Sequence, residues 1–314
     1  MFYLNDIEYF IPDQKYTIFE LSERYDLSEM QLSIFNRFYG LNEIPVSDEP
    51  FAEVLLATCQ ELIERNQLDR SDIKVLVFSH TITSFQPFSY TQLTDLKTKL
   101  DIPNALVFGM TTNNCASSSF ALDIINRLLA RDGTDKAIFI TSDIAYCKDS
   151  QIIADSTVLG DALTVSLLSR EATGFELISN KRKVFGQHSM CSWEEGETLK
   201  EFQKEYTNRL SDILCETIDD ADMDFSDIKI VIPHNVNIIS WKKVALLANF
   251  DRKKLFLENI DKTAHCFGSD VFINMKSVRD KQLLEPDDHV LVGNAGLGAV
   301  FNGMLWRYVG SDHL

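Results

Sequence analysis

The segment LDRSDIKVLVFSH (Leu68–His80) recurs in altered form as MDFSDIKIVIPH (Met223–His234). The two SDIK tetrapeptides begin at residues 71 and 226, an offset of 155 residues, which is about half of the 314-residue chain. Each copy ends in a run of apolar, largely β-branched residues that is typical of a buried strand, and each follows an amphipathic helix pattern. The sequence therefore predicts two similar halves packed about a pseudo-twofold axis.

Strands and helices alternate outward from these two segments. A second pair of similar runs, beginning at Asp135 and Asp288, repeats with an offset of 153 residues. The alternation favours an α/β fold with largely parallel sheets. We expect the chain to divide into two halves, residues 1–170 and 171–314. The polar stretch Asn180–Lys200 is expected to form a loop. The predicted strands are Lys74–Ser79, Ala105–Gly109, Lys136–Thr141, Lys229–Ile232 and His289–Val292, and the predicted helices are Glu53–Asn66, Ser118–Arg131, Leu199–Ile218, Ile239–Asn249 and Asp270–Arg279.

Composition narrows the class of protein. Hydrophobic residues make up 45% and charged residues 25% of the chain, as in ordinary globular proteins. The formal net charge of −17 disfavours a general nucleic-acid binder. No apolar run approaches the roughly 18 residues of a membrane-spanning helix, and the acidic N-terminus does not resemble a signal peptide. The six cysteines are widely spaced and form no CxxC pair. We therefore expect a cytoplasmic protein with free thiols, no metal site and no membrane insertion.

Cys115 is the first candidate catalytic residue. It lies in TTNNCASSSFALD (Thr111–Asp123), between a predicted strand and a predicted amphipathic helix. At a helix N-terminus the unpaired N–H groups and the positive end of the dipole favour the thiolate, which is the reactive form of cysteine. The small residues that follow Cys115 would let an acyl group approach. The alternative is a structural role, because cysteine also serves as a small hydrophobic residue in the first turn of a helix.

Three further segments are predicted to form polar or glycine-rich turns at the ends of strands or the starts of helices. His234 follows a strand and His265 precedes a helix, which are positions where α/β folds carry catalytic groups, although either could be a loop histidine with structural hydrogen bonds. The turn GNAGLG (Gly293–Gly298) offers backbone N–H donors, and its spacing is not that of the dinucleotide fingerprint. If the fold brings these segments together, one thiol, two imidazoles and a glycine turn would form a site for acyl transfer through a thioester.

The order and context of these segments resemble the thiolase-fold condensing enzymes, most closely β-ketoacyl-acyl-carrier-protein synthase III, over nearly the whole chain. The resemblance is carried by NCAS at Cys115, IPHNVN at His234, the pair Gly160-Asp161 and the terminal glycine turn. It implies a five-layer αβαβα fold, with the nucleophilic cysteine in the N-terminal half and both histidines and the glycine turn in the C-terminal half. It also implies a homodimer, and an oxyanion hole formed by the backbone N–H groups of Cys115 and Leu297.

One position departs from the family pattern. His265 stands where the synthase III family has an asparagine, so the catalytic set would be Cys115, His234 and His265. The expected reaction is decarboxylative condensation in fatty-acid or secondary-metabolite biosynthesis, because both imidazoles could polarise a thioester carbonyl. The alternatives are a non-condensing acyltransferase that forms an ester or an amide, and a catalytically inactive partner subunit.

The resemblance further implies a thioester donor, either coenzyme A or the phosphopantetheine of an acyl carrier protein, and no tightly bound cofactor. An acidic chain needs a local cationic surface to meet an acidic carrier. Lys242 and Lys243, on the helix that follows His234, are preferred for this role to Lys181–Lys183 and Arg252–Lys254. The other expected site residues are Arg37 and Asn237 at the donor entrance, and Phe85, Phe88, Phe267, Gly296 and Gly298 in the acyl pocket.

Overall fold

The computed structural model of the chain describes residues 1–25, 27–82, 91–131, 133–145, 147–153, 156–189 and 196–310. Its strands are β1 (Tyr3–Phe10), β2 (Lys15–Thr17), β3 (Glu43–Pro45), β4 (Ile73–Ser79), β5 (Leu106–Met110), β6 (Lys136–Asp143), β7 (Ile152–Ile153), β8 (Thr157–Val158), β9 (Ala162–Ser169), β10 (Gly174–Val184), β11 (Ile228–Pro233), β12 (His289–Gly296) and β13 (Val300–Gly310). Its helices are α1 (Ile18–Tyr25), α2 (Glu29–Ser33), α3 (Phe51–Arg65), α4 (Thr91–Lys99), α5 (Ser117–Leu128), α6 (Lys148–Gln151), α7 (Gly196–Asp219), α8 (Ile238–Leu247), α9 (Ile260–Thr263) and α10 (Asp270–Asp280).

In the described part of the chain, nine strands are hydrogen-bonded in the order β5-β4-β6-β9-β1-β10-β13-β12-β11. In the first half β4 is parallel to β6, and β9 is antiparallel to β6. In the second half β11 is parallel to β12, and β13 is antiparallel to β12. The halves therefore share one strand order and meet where β1 pairs with β10, with Leu4 opposite Phe175. This confirms two similar halves and relates β4 to β11, whereas the division at residue 170 stays a prediction.

Helices lie outside and between the two halves of the sheet. Helices α5 and α10 form the middle layer, where Leu122 and Phe272 share one buried core with strand residues of both halves. The ring of Phe272 also meets the ring of Phe139 on β6, with centroids 5.5 Å apart. Helices α3 and α4 cover the outer face of the first half, and α7 and α8 cover that of the second, each through a core of its own. This is the predicted αβαβα fold.

The longest helix, α7, has a charged face along much of its length. Within the ranges that the structure describes, no helix combines the length and the apolar character needed to cross a membrane.

In its described residues, the stretch Asn180–Lys200 is only partly the loop or irregular excursion that its polarity predicts, because residues 185–189 hold no more than a 3₁₀ turn whereas both ends are regular. Residues up to Val184 continue β10, which pairs with β13 from end to end, and residues from Gly196 begin α7. The prediction was wrong at the β10 end because the charged side chains of β10 are paired with acidic residues on or next to α5 and α7 rather than being loop residues in solvent. These pairs are Lys181 with Asp220, Arg182 with Asp123 and Lys183 with Glu216.

Candidate active site

Cys115 lies at the junction of β5 and α5. After β5 ends at Met110, residues Asn114–Ala116 form a short 3₁₀ turn, and α5 begins at Ser117. The Cys115 side chain is buried, with 7% of its surface exposed, in a small apolar cluster that includes Phe267. The sequence analysis placed Cys115 at the start of this helix, and the structure agrees.

The sulfur of Cys115 contacts an imidazole that is itself held by a buried carboxylate. Cys115 Sγ lies 3.5 Å from His265 Nε2, and His265 Nδ1 lies 2.5 Å from Asp270 Oδ2. The carboxylate of Asp270 also accepts hydrogen bonds of 2.6 Å from the backbone N–H groups of Asn235 and Cys266. These bonds fix the carboxylate, so Nδ1 of His265 carries a proton and Nε2 is directed at the sulfur. Asp270, which the sequence analysis missed, completes an arrangement that can activate a nucleophile.

The surroundings of His265 stabilise its protonated form. Burial acts to lower the pKa of this imidazole, but the charge and hydrogen bond of Asp270, followed by the Cys115 sulfur, raise it to about 10. At neutral pH the ring is therefore an imidazolium, with its Nε2–H beside Cys115.

The backbone around His265 brings Asp270 back towards it. The N–H of His265 donates to the carbonyl of Val158 at 3.1 Å, and its carbonyl accepts from the N–H of Gly160 at 3.0 Å. Phe267 has a φ of +51°, and residues Phe267–Ser269 form a 3₁₀ turn into α10. The chain thus reverses between the histidine and the aspartate. Gly160, from the predicted Gly-Asp pair, permits this packing, because a Cβ there would lie 2.7 Å from a backbone carbonyl oxygen.

His234 lies beside His265, directly after β11. The ring centroids of the two histidines are 5.8 Å apart, so the structure brings all three predicted catalytic residues together. The Nε2 atom of His234 lies 2.7 Å from the hydroxyl of Tyr206, and its Nδ1 atom lies 3.3 Å from the carbonyl of Gly293. Burial and then the charge of His265 lower the pKa of His234 to about 3, although the Gly293 carbonyl has the opposite effect. His234 is therefore neutral, and the catalytic role of each residue stays a prediction.

Thr81 is another neighbour of the sulfur that the sequence analysis missed. Its hydroxyl donates to Cys115 Sγ at 3.7 Å. The backbone N–H groups of Thr81 and Ile82 donate to the carboxylate of Asp143 at 2.8 Å. Burial raises the pKa of Asp143 to about 7 in spite of these bonds. The buried carboxylate thus fixes the residues that follow β4 against Cys115.

The glycine turn at the end of β12 packs against the turn that carries Cys115. The side-chain amide of Asn114 donates to the carbonyl of Leu297. Gly296 makes the closest approach, because a Cβ there would lie 2.2 Å from the carbonyl oxygen of Asn113. Leu297 therefore lies next to the Cys115 turn, where the expected oxyanion hole requires it, and the role of its N–H stays a prediction.

Gly296→Ala is expected to destabilise the protein by about 1–3 kcal/mol, because the added methyl group meets a backbone atom that can move only with the Cys115 turn. Urea unfolding and the rate of thiol alkylation at Cys115 measure the two effects. The matched control is Gly186→Ala, since a Cβ at Gly186 would have no neighbouring atom within 4 Å. Unchanged unfolding and unchanged alkylation in Gly296→Ala would contradict this packing.

The predicted acyl-pocket residues divide into two groups. Phe267 is buried beside Cys115, and its ring stacks on His265 with centroids 6.1 Å apart. Gly296 and Gly298 lie in the turn beside the Cys115 segment. Phe85 and Phe88 lie outside the described residues.

The predicted entrance residues also differ in their surroundings. Arg37, Lys242 and Lys243 are exposed. Asn237 is buried, and its side chain caps α8 by accepting a hydrogen bond of 2.7 Å from the N–H of Ser240. A direct contact of Asn237 with the donor is therefore not supported. Over the part of the chain that is described, no three His, Cys, Asp or Glu side chains are grouped so that they could hold a metal ion.

Comparisons with known proteins bear on the fold and on the C-terminal half. Residues 218–308 match the family model of the 3-oxoacyl-[acyl-carrier-protein] synthase III C terminal. The β-ketoacyl-[acyl-carrier-protein] synthase III of Clostridium botulinum (strain 657 / Type Ba4) is 20% identical over 287 residues, which cover 84% of this chain and 86% of the relative. Among solved structures, 3-oxoacyl-[acyl-carrier-protein] synthase III from Aquifex aeolicus VF5 has a TM-score of 0.80 at 16% identity, covering 98% of this chain and 100% of that one.

A second structural neighbour carries a different description. ChlB3, described as an acyltransferase, has a TM-score of 0.85 at 15% identity, with 98% of each chain covered. At these identities the solved structures establish the fold, and the family match and the curated relative point to the same family. The chain therefore has the thiolase-like fold and is similar to β-ketoacyl-acyl-carrier-protein synthase III proteins over most of its length, with a match to their family model over residues 218–308.

Proposed function

We propose that the protein is an acyltransferase that carries the acyl group as a thioester on Cys115. The observation that carries this proposal is the line of contacts from Cys115 Sγ to His265 Nε2, at 3.5 Å, and from His265 Nδ1 to Asp270, at 2.5 Å. A thiolate next to an imidazolium is a strong nucleophile, and the carboxylate behind the ring holds it in the useful orientation.

In the first half-reaction the Cys115 thiolate attacks the carbonyl carbon of an acyl thioester. The bond from carbon to Sγ forms, and the bond from carbon to the donor sulfur breaks. The donor leaves as a thiol, with the proton that His265 held on Nε2. The N–H groups of Cys115 and Leu297 are the proposed donors to the oxyanion, supported by the close packing of the glycine turn on the Cys115 segment.

Loading experiments test this half-reaction directly. The protein is mixed with a panel of acyl-CoA and acyl-carrier thioesters, and intact-mass spectrometry follows the chain. A mass increase equal to one acyl group is expected with at least one donor. The absence of any adduct would reject the proposal and would favour the alternative of a catalytically inactive partner subunit.

The donor is proposed to be a coenzyme A or carrier phosphopantetheine thioester, which agrees with the cytoplasmic location expected from the sequence. It is proposed to bind at the surface of α8. Lys242 and Lys243 are exposed on this helix, and no acidic side chain of the described residues forms an ion pair with either. The helix also exposes Leu246, with 79% of its surface accessible. The competing basic runs are less available: Lys181 and its neighbours are paired with acids, and Lys254 donates to backbone carbonyls. A cationic surface with an apolar residue suits an acidic carrier protein.

Reversing both charges of α8, in Lys242→Glu/Lys243→Glu, is expected to lower kcat/KM for an acyl-carrier donor by roughly 10- to 100-fold, because an acidic carrier would meet like charge. The same variant should change kcat/KM for the matching acyl-CoA by less than about 3-fold. Arg252→Glu/Lys253→Glu, at another exposed basic run, is the matched control and should behave as wild type. Equal losses with both donors would contradict carrier docking at α8.

Two second half-reactions can follow from the acyl-enzyme. The names of the synthase III relatives support decarboxylative condensation, which the sequence analysis also favours. One geometric observation favours transfer to an alcohol or amine. His234 Nδ1 faces the Gly293 carbonyl and therefore carries the proton, which leaves a lone pair on Nε2. Nε2 thus accepts a hydrogen bond rather than donating one, as a base that deprotonates an alcohol or amine would. Product analysis separates the two. Release of CO₂ and a β-keto product from a malonyl thioester would establish condensation, and an ester or amide would establish simple transfer.

The homodimer expected from the sequence belongs to the same proposal. Strand β5 lies at one end of the sheet, and it presents Leu106 with 52% of its surface exposed. An apolar edge strand of this kind is a ready surface for pairing with a second copy of the chain.

A further inference from the structure

Tyr206 makes a short side-chain contact with Nε2 of His234. It lies on α7, and its hydroxyl is 2.7 Å from His234 Nε2. The ring is fixed by aromatic neighbours, with its centroid 5.6 Å from that of Phe301 and 6.4 Å from that of His234. Burial and then the Cys115 sulfur raise the pKa of Tyr206, which keeps its hydroxyl protonated.

The direction of this hydrogen bond follows from the other nitrogen of the ring. Nδ1 of His234 lies 3.3 Å from the carbonyl oxygen of Gly293, which can only accept, so Nδ1 carries the proton. In the neutral ring Nε2 then has a lone pair, and the Tyr206 hydroxyl must be the donor. The phenolic oxygen keeps its own lone pairs, so it can accept a hydrogen bond from a bound molecule.

We propose that Tyr206 and His234 form a proton relay that deprotonates the acceptor, and that the acceptor is therefore a compound with a reactive O–H or N–H group. The inference rests on the proposed acyl-Cys115 intermediate and selects between its two second half-reactions. An acceptor that reacts at a carbon after loss of CO₂ has no such proton to give.

The relay moves one proton from the acceptor for each acyl group transferred. The acceptor oxygen or nitrogen attacks the acyl carbon, the bond from carbon to Cys115 Sγ breaks, and the sulfur leaves as a thiolate. The acceptor proton moves to the phenolic oxygen of Tyr206 while the phenolic proton moves to His234 Nε2. His234 then gives its extra proton to solvent, and His265, which lost its own proton to the donor thiol, takes one up from solvent, so that the thiolate–imidazolium pair is restored.

The acidities of the two histidines give this relay a direction. With His265 charged, its repulsion is the second cause, after burial, of the low pKa of His234. Once His265 has given its proton to the leaving thiol, that repulsion is gone and His234 becomes a better base. His265 then regains a proton, because Asp270 raises its pKa, and the restored repulsion favours loss of the proton from His234.

Tyr206→Phe separates the two half-reactions. The variant keeps the ring, so acylation of Cys115 should stay within about 3-fold of wild type, which also shows that the protein is folded. Consumption of the isolated adduct should slow by roughly 100-fold, because general acid–base transfer typically contributes 10²–10⁴-fold. Two acceptors serve as probes. Water supplies an O–H group, and its reaction sets the lifetime of the adduct; hydroxylamine supplies an N–H group. Wild type should also show a solvent deuterium isotope effect on both rates that Tyr206→Phe lacks.

Tyr25→Phe is the matched control, since it removes a tyrosine hydrogen bond of 2.6 Å to Gln151 away from Cys115. It should leave both half-reactions unchanged. An adduct lifetime in Tyr206→Phe equal to that of wild type would overturn the relay, as would a wild-type adduct consumed only by a malonyl thioester with release of CO₂. Failure of wild type to form any adduct is a different result, because it rejects the proposed function itself.

Discussion

Cys115→Ala is expected to abolish the covalent acyl adduct and to lower the rate of acyl transfer by at least about 10⁴-fold. Removal of a nucleophile eliminates the covalent route, and what remains is binding and the donors that surround the carbonyl. The alanine side chain fits the small apolar cluster that holds Cys115, so the free energy of unfolding should change little. Intact-mass spectrometry after mixing with acyl thioesters measures the adduct, and steady-state product formation measures the rate.

Among the cysteines that the structure describes, Cys147 is the one most able to mimic the expected signal, and it provides the control. It is exposed, and hydrogen bonding to Ser150 lowers its pKa. An activated thioester could therefore acylate it without any catalytic site. Cys147→Ser should keep the full adduct and the full rate if Cys115 is the nucleophile. An adduct that persists in Cys115→Ala and disappears in Cys147→Ser would show that the labelled thiol is a surface residue.

The positions of Cys115, His234 and His265 at the ends of elements could be predicted because the periodicity of those elements is clear, whereas the convergence of the three residues was implied by the family resemblance. The repeat relates β4 to β11, and thus sets which strand ends lie near each other. His234 follows β11, and Cys115 lies in the turn that leads into α5. Hydrophobic patterns predict the ends of strands and helices well, because such patterns reflect burial along a whole element rather than a single contact.

The two other members of the proposed site depend on contacts that no pattern reports. An aspartate in the first turn of a helix is ordinary, because it complements the helix dipole, so no pattern distinguishes Asp270. Its contact with His265 arises only because the chain reverses through the 3₁₀ turn at Phe267–Ser269. Tyr206 lies on a helix of 24 residues, and its amphipathic pattern marks a buried face without showing which residue meets His234.

The strand β10 shows the same limit at the level of the fold. Its charged residues suggested a loop, because polarity was judged without knowledge of the helices that face the strand. The acids that neutralise it come from α5 and from α7 or the turn that follows it, and both lie far away in sequence. Polar strands of this kind can be recognised only once their ion-pair partners are in place.

Asp270→Asn is expected to lower the rate of Cys115 acylation at pH 7 by roughly 10²–10⁴-fold, because it removes the charge that keeps His265 protonated. In wild type the pKa of His265 is raised to about 10, so the ring keeps its charge beside Cys115 Sγ and acylation should vary little between pH 7 and 9. In the variant burial dominates and the pKa of His265 falls. The ring is then neutral at pH 7, the sulfur loses the neighbouring positive charge, and acylation should depend on pH instead of staying flat.

Stopped-flow acylation over this pH range measures both the loss and the change of slope, and the slope distinguishes electrostatics from misfolding. Asp280→Asn, at the other end of α10, is the matched control, since Asp280 pairs with Lys276 at the surface. It should leave the rate and the flat profile intact. Asp270→Asn will also lose some stability, because the amide cannot accept all the hydrogen bonds that the carboxylate does, so only folded protein should be assayed. A folded variant that acylates at the wild-type rate with a flat profile would show that His265 does not depend on Asp270, and the proposed activation of Cys115 would be wrong.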